Sequence, residues 1–451
     1  MGDPTPSATA VHLDDGPLTP RQLFIASTAA GGLFLDGYNV LIFSGALLGI
    51  IPAFHLKGVA IGLIGASVFA GMIIGTMVAG PLTDRVGRKP VFIVDMLLFI
   101  VAAGLCLFVS SPTELMVLRL LTGIAIGADM PASSAIITEF SPRARRGTLN
   151  AITQPYWLTG SFIGALVSLL IYHVGGVSSW RWILASGLVP AVVVLVLRRT
   201  VPETPRWLLS RGRIDEARTV LMDTTHNPTI IDHLAALKTH VSTKTSARPL
   251  FRGEGLRRLV FVSLYWFFGN ITGSTILIYT PVIVKSIVTP STYTSLEFTA
   301  GFNLLYVLFG LIVSLFLIEK WGRRPMGIWP WLSAAILIGL LAFVLHNRVA
   351  VALLFAVATI FMFGAQTLVY FCWGVELFPT NVRGRALGFS NGVGKIGSLL
   401  GVLLFPGIFA TSPKDAMLII AGLMLIGSLI TLKMAPETKG LSLDDLEQVT
   451  Q

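Results

Sequence analysis

Residues 139–147 read EFSPRARRG and residues 376–384 read ELFPTNVRG. Both follow the pattern E-x-x-P-x-x-x-R-G, 237 positions apart. Two further pairs keep nearly the same spacing: DRVGRKP (84–90) with EKWGRRP (319–325) at 235, and PETP (202–205) with PETK (436–439) at 234. Three pairs at almost one offset identify the chain as a duplicated unit.

The segments between these motifs say what the unit is. Of the 451 residues, 54% are hydrophobic and only 12% are charged. A soluble protein carries about twice that share of charge. Mean hydropathy is +0.78. Apolar runs of bilayer-spanning length, about 20 residues, fall at 24–50, 59–81, 91–110, 114–138, 149–172 and 180–198. Six more fall at 258–284, 296–318, 326–346, 349–374, 386–409 and 415–434. The expected fold is an all-α membrane protein of 12 transmembrane helices, built as two pseudo-symmetric six-helix bundles over 24–198 and 258–434. A tail (1–23), a central loop (199–257) and a second tail (435–451) complete it. The start is polar and lacks a basic segment leading into a short apolar core, so no cleavable signal peptide is expected. Cys106 and Cys372 both lie in apolar runs and are expected as free, buried thiols.

With the N-terminus inside, 26 of the 33 Lys and Arg residues fall on the inner side and 5 on the outer. That bias places both termini in the cytoplasm. The net charge of +10 is therefore topology, and a nucleic-acid partner is not expected. The bilayer and a small-molecule solute are the expected partners. A two-fold repeat across a membrane suits alternating access around a central site.

The chain resembles the major facilitator superfamily over nearly its whole length. The resemblance rests on GPLTDRVGRKP (80–90), EKWGRRP (319–325), PETPRWLL (202–209), ELFPTNVRGRALG (376–388) and PETKGLSLDDLEQ (436–448), in that family's order. Within it the chain is similar to the branch of sugar porters, phosphate:proton symporters and aromatic-acid symporters. The resemblance implies a monomer in the plasma membrane, crossing it many times. Gly87 suits a turn needing positive φ. Asp84, Arg85, Arg88, Glu139, Arg146, Glu319, Arg323, Glu376 and Arg383 are then candidates for a cytoplasmic gate of inter-helix ion pairs. The alternative is that they are solvated loop charges that only set topology.

Asp36 sits inside the first apolar run, in LFLDGYN (33–39). An ionised Asp at a helix centre costs about 2.5–3.5 kcal/mol on insertion scales, so a partner or a proton must offset it. A carboxylate whose surroundings alternate between paired and unpaired becomes a proton carrier. The seven histidines lie in tails, loops, the central segment or at a helix end, which leaves carboxylates for that work. Arg119, Asp129 and Lys395 also lie at membrane depth. Arg119 and Asp129 join Asp36 as proton-coupling candidates, and the expected coupling ion is H⁺ with no organic cofactor. In proton-coupled sugar porters, the first helix carries an Asp where this chain has Asn39. Their helix-4 Arg stands 20 residues before the motif Glu, as Arg119 does before Glu139. The phosphate and aromatic-acid symporters fit Asp36 better. GADMP (127–131) and GKIG (394–397) are similar to phosphate-symporter segments, but Asn270 stands where those carry an Asp. Asp36 and Arg119 could also form a static packing pair. Lys395 could hold an anionic solute or neutralise Asp129.

Gln154, in QPYWLTG (154–160), matches a substrate-holding Gln of both symporter types. Trp157, Trp266, Asn270, Tyr370, Trp373 and Asn391 add stacking and hydrogen-bonding groups. A few polar groups among aromatics is how small-molecule pockets are built; helix–helix glue and core packing are the alternatives. The function expected first is proton-coupled uptake of a small polar solute, such as an aromatic or other organic acid. A sugar, polyol or phosphate symporter comes second and a non-transporting sensor third. No H-E-x-x-H, C-x-x-C or phosphate loop is present, so no enzyme is expected.

Overall fold

Thr19 opens the first helix. Its hydroxyl accepts from the Gln22 N–H at 3.2 Å, and the Thr19 N–H donates to Gln22 Oε1 at 3.0 Å, a reciprocal cap. Pro20 takes the first helical position, where no N–H is needed. The computed structural model describes residues 16–142, 145, 149–150, 152–225, 248–378 and 382–439. The gate candidate Arg146 lies outside these residues, as do the side chains of Glu319 and Tyr370.

The first half comprises α1 (Pro20–Ala53), α2 (Val59–Val86), α3 (Arg88–Leu105), α4 (Pro112–Phe140) and α5 (Thr153–Gly175). Its sixth span is broken at Ser186 and Gly187 into α6 (Trp180–Ala185) and α7 (Leu188–Arg199). The central segment is not wholly a loop. It holds α8 (Pro205–Ser210) and α9 (Ile214–Thr225), packed on each other through Leu208, Leu209, Ala217 and Leu221. The second half comprises α10 (Gly253–Ile287), α11 (Thr292–Ile312), α12 (Arg323–Leu341), α13 (Arg348–Glu376), α14 (Arg383–Thr411) and α15 (Pro413–Met434). α10 starts five residues before the expected span, and α11 ends in a π turn, Val313–Leu317. Among the described residues nine helical stretches are long and apolar enough to cross a membrane, and one of them, Thr153–Arg199, holds two expected spans; α11 and α13 complete the twelve. Cys106 is buried as expected, but Cys372 is only half-buried; neither is in a disulfide.

Large apolar side chains face outward on both halves: Met77, Phe108 and Val174 on one, Phe316 and Val349 on the other. Such a surface suits lipid, because a helix keeps its internal backbone hydrogen bonds within its own segment.

Within the halves, α2 packs on α4, α1 on α5, α10 on α14, and α12 on α13 and α15. The halves meet through α2 with α14, α1 with α10, and α5 with α11. The Ser44 hydroxyl of α1 lies 2.8 Å from the Ile278 carbonyl and 3.1 Å from that of Leu277 on α10. The rings of His173 and Tyr293 meet between α5 and α11. At Gly62 a Cβ would stand 2.1 Å from the Leu403 carbonyl, so α2 and α14 touch backbone to backbone. All three contacts lie toward the end of the bundle opposite Gly87 and Gly322.

Candidate solute and proton site

The repeated motifs build two copies of one clamp. Gly87 joins α2 to α3 at φ 108°, and Gly322 precedes α12 at φ 91°; both are left-handed positions that favour glycine. Each frees the following helix N-terminus to meet a carboxylate from the PET motif. Glu203 accepts from the N–H of Arg88 at 3.1 Å and of Lys89 at 3.0 Å. Glu437 accepts from those of Arg323 at 3.0 Å and Arg324 at 3.1 Å. An anion on unsatisfied N-terminal amides is a favourable pairing. The Arg88 side chain turns to Glu139 (3.1 Å) and Asp84 (3.4 Å), and Arg323 turns to Glu376 (3.1 Å). These pairs join neighbouring helices, and each lies within one half. Arg383 donates to the Phe378 carbonyl at 3.1 Å. The Arg85 carbonyl accepts from the Arg211 side chain.

Between the halves lies a small cavity, lined by Gly32, Asp36, Thr76, Asp129 and Met130 from the first half and by Lys395 from the second. Asp36 is one of its lining residues. Trp157 Nε1 donates to Asp36 Oδ2 at 3.2 Å, and Lys395 Nζ stands 4.0 Å from the same oxygen. Asp36 Oδ1 is buried with no hydrogen-bond partner among the described residues. The side chains of Asp36 and Lys395 keep 16% and 18% exposure. The pair crosses the interface, so it joins helices that belong to different halves. Of the two roles weighed for Lys395, the structure puts it in the cavity with Asp129 but pairs it with Asp36.

Arg119 does not pair with Asp36. Its Nη1 donates to Asn39 Oδ1 at 2.7 Å, and its guanidinium carbon lies 3.9 Å from the Phe43 ring centre. Nε and Nη2 are buried without a hydrogen-bond partner among the described residues. The Asp36–Arg119 packing pair is therefore replaced by two separate contacts: Arg119 with Asn39, and Asp36 with Lys395.

The polar lining divides. Trp157 touches Asp36. Asn391 Nδ2 meets Met130 Sδ across the interface. Asn270 spends its amide on its own helix and α14, donating to the Trp266 carbonyl at 2.9 Å and accepting from the Ser398 hydroxyl at 3.3 Å. Trp266 is buried beside Gly394. Gln154 is buried but is not among the residues bounding the cavity. Trp373 belongs to a packed aromatic group instead: it meets Phe261 at 5.0 Å and Tyr265 at 5.2 Å, and Tyr265 stacks on Trp331 at 4.6 Å.

Asp129 is held from the side away from the cavity. Arg198 Nη2 contacts its Oδ1 at 2.5 Å, and the Ser133 hydroxyl donates to the same oxygen at 2.8 Å. Arg198 also reaches Asp95 Oδ1 at 2.9 Å. Neither Asp95 nor Arg198 stood out as a site residue in the sequence. Arg198 reads as the first charge of a basic cytoplasmic segment, yet its side chain is fully buried. Asp95 had a signal: it is a carboxylate in the apolar run VFIVDMLLFI (91–100).

Residues 25–450 match the family described as sugar (and other) transporter. The chain is 32% identical over 442 residues to the putative metabolite transport protein YaaU of Escherichia coli, covering 97% of each. It is 28% identical over 456 residues to the arabinose-proton symporter of Bacillus subtilis, covering 95% of each. In structure it is similar to the proton:xylose symporter XylE, a protein of the major facilitator superfamily, with TM-score 0.74 and 24% identity over 96% of this chain and 99% of that one.

Proposed function

This chain belongs to the sugar (and other) transporter family of the major facilitator superfamily, and from that premise we propose that it is a proton-coupled symporter for a small polar metabolite. It is a multi-pass protein of the plasma membrane, and its motif end faces the cytoplasm by the distribution of Lys and Arg. One observation carries the coupling: Asp36 and Lys395 meet across the cavity from opposite halves. A carboxylate beside a cation stays ionised, and one parted from it in a poorly solvated site takes up a proton. Rocking the halves makes and breaks this pair, so the same motion that admits the solute loads and releases H⁺.

The solute is a sugar or polyol in this reading, supported by the family description and by the arabinose-proton relative. The organic acid placed first from sequence has no support among those relatives. Lys395, a cation facing the cavity, favours a carboxylate solute as the second reading. Trp157 and Asn391 provide stacking and hydrogen bonding for either.

The test uses proteoliposomes carrying wild type or Asp36→Asn, challenged in turn with pentoses, hexoses, polyols and organic acids. External alkalinisation evoked by one class, abolished in Asp36→Asn while counterflow of labelled solute survives, supports coupling at Asp36. Unchanged proton flux in the variant would remove Asp36 from the coupling role.

A further inference from the structure

Asp95 of α3, Asp129 of α4 and Arg198 of α7 form a closed group in the first half. Arg198 Nη1 bridges Asp95 Oδ1 and the Phe92 carbonyl, both at 2.9 Å, and Nη2 contacts Asp129 Oδ1 at 2.5 Å. The guanidinium carbon lies 3.7 Å from the Phe92 ring centre, which shuts off its open face. Side-chain exposure is 0% for Arg198 and Asp95 and 4% for Asp129. Asp95 Oδ2 is buried with no hydrogen-bond partner among the described residues. α1 seals the group: a Cβ at Gly32 would stand 1.7 Å from Asp129 Oδ2 and 2.5 Å from Arg198 Nη2.

Two ionised carboxylates and one guanidinium leave a net negative charge in a dry site, which low-dielectric surroundings strongly disfavour. Among the described residues no neighbouring element balances it. From α14 comes Lys395, engaged with Asp36 of α1. From α2 comes Thr76, which donates to the Gly127 carbonyl at 2.9 Å. On α4 itself, Arg119 and Glu139 each lie ten residues from Asp129, roughly 15 Å along the helix, and are held by Asn39 and Arg88. Charge balance therefore calls for one proton on the two acids. Asp129 lines the central cavity while touching Arg198, so it is the member that water in the cavity can reach.

We propose that Asp95, Asp129 and Arg198 form a second proton-binding site, in which the two carboxyl groups share one proton at neutral pH and exchange it with the cavity through Asp129. Cavity water delivers the proton to a carboxylate oxygen, and the other carboxylate stays paired with Arg198. A contribution to solute-driven proton flux rests on the symport reading above; the proton itself does not.

The experiment is infrared spectroscopy of the full chain in solute-free lipid nanodiscs at neutral pH, comparing wild type with Asp95→Asn, Asp129→Asn and Asp36→Asn. Either Asn variant of the pair leaves a single carboxylate matched to Arg198, so both should lose the same protonated-carboxyl C=O band. That band should shift on transfer to D₂O and persist in Asp36→Asn. The two variants answer independently if one fails to fold. A wild type without the band, a band that survives either substitution, or one lost in Asp36→Asn would overturn the proposal. Absence of solute-evoked proton flux with the band intact would count against symport alone.

Discussion

Arg119 on α4 meets Asn39 on α1, with Nη1 2.7 Å from the amide oxygen. A buried guanidinium here faces a neutral acceptor, where proton-coupled sugar porters carry an acid. Charge-assisted hydrogen bonds are roughly twice as strong as neutral ones. Asn39→Asp is therefore expected to stabilise the protein by about 1–3 kcal/mol at neutral pH. Thermal melting of both proteins across pH checks this; an equal or lower melting temperature at neutral pH would sink it.

Asp36 and Lys395 should be energetically coupled. Lys395→Gln leaves Asp36 without its cation, while Asp36→Asn with Lys395→Gln removes both charges. A double-mutant cycle on thermal stability is expected to give a coupling of about 1–2 kcal/mol. Additive single effects would mean that the 4.0 Å approach carries no interaction.

Gly87→Ala places a Cβ 2.3 Å from Glu203 Oε2 at φ 108°, so it strains the backbone and displaces the carboxylate that caps α3. The expected loss is about 1–3 kcal/mol. Gly322→Ala, facing Glu437 at 2.6 Å, should behave alike. Glu203→Gln keeps the shape and removes the charge, and should cost less, about 0.5–1 kcal/mol. Equal losses for Gly87→Ala and Glu203→Gln would show that the charge, and not the backbone, is what the turn protects.

Trp373→Ala should destabilise by about 3–5 kcal/mol, as a large buried side chain does, while leaving solute affinity in counterflow near wild type. A weakened affinity without loss of stability would return Trp373 to the solute site.

The fold was legible because its signals are long or repeated. Twenty-residue apolar runs survive any error of a few residues at their ends, and three motif pairs at one offset reveal the duplication. The local breaks were not legible. Ser186 and Gly187 interrupt a continuous apolar run, and α8 and α9 are too short for periodicity to assert itself. The site was half legible. Asp36, Asp129 and Lys395 stand out as charges in apolar runs, and all three line the cavity. Their pairing could not be read, because which helices adjoin at depth depends on tertiary packing. Arg198 was hidden by its address. It begins a basic segment in the sequence, but its side chain reaches back between α3 and α4, and only the fold shows that. Trp373 reads toward the pocket in the sequence because a core aromatic and a stacking aromatic look alike in one dimension.

The two clamps have a mechanical consequence. Arg88, Glu139 and Glu203 close on one another inside the first half, and Arg323, Glu376 and Glu437 do so inside the second. In the alternating-access reading proposed above, a swing of one half against the other would break none of these contacts, so each half would move as a stiff lever. The work of the swing would then fall on contacts between the halves: the backbone seam at Gly62, the Ser44 hydroxyl, His173 with Tyr293, Asn391 with Met130, and Asp36 with Lys395. Salt screens exposed charges far more than sheltered ones. The rate of exchange between the two faces should therefore be nearly indifferent to ionic strength, a property that counterflow at low and high salt reads directly.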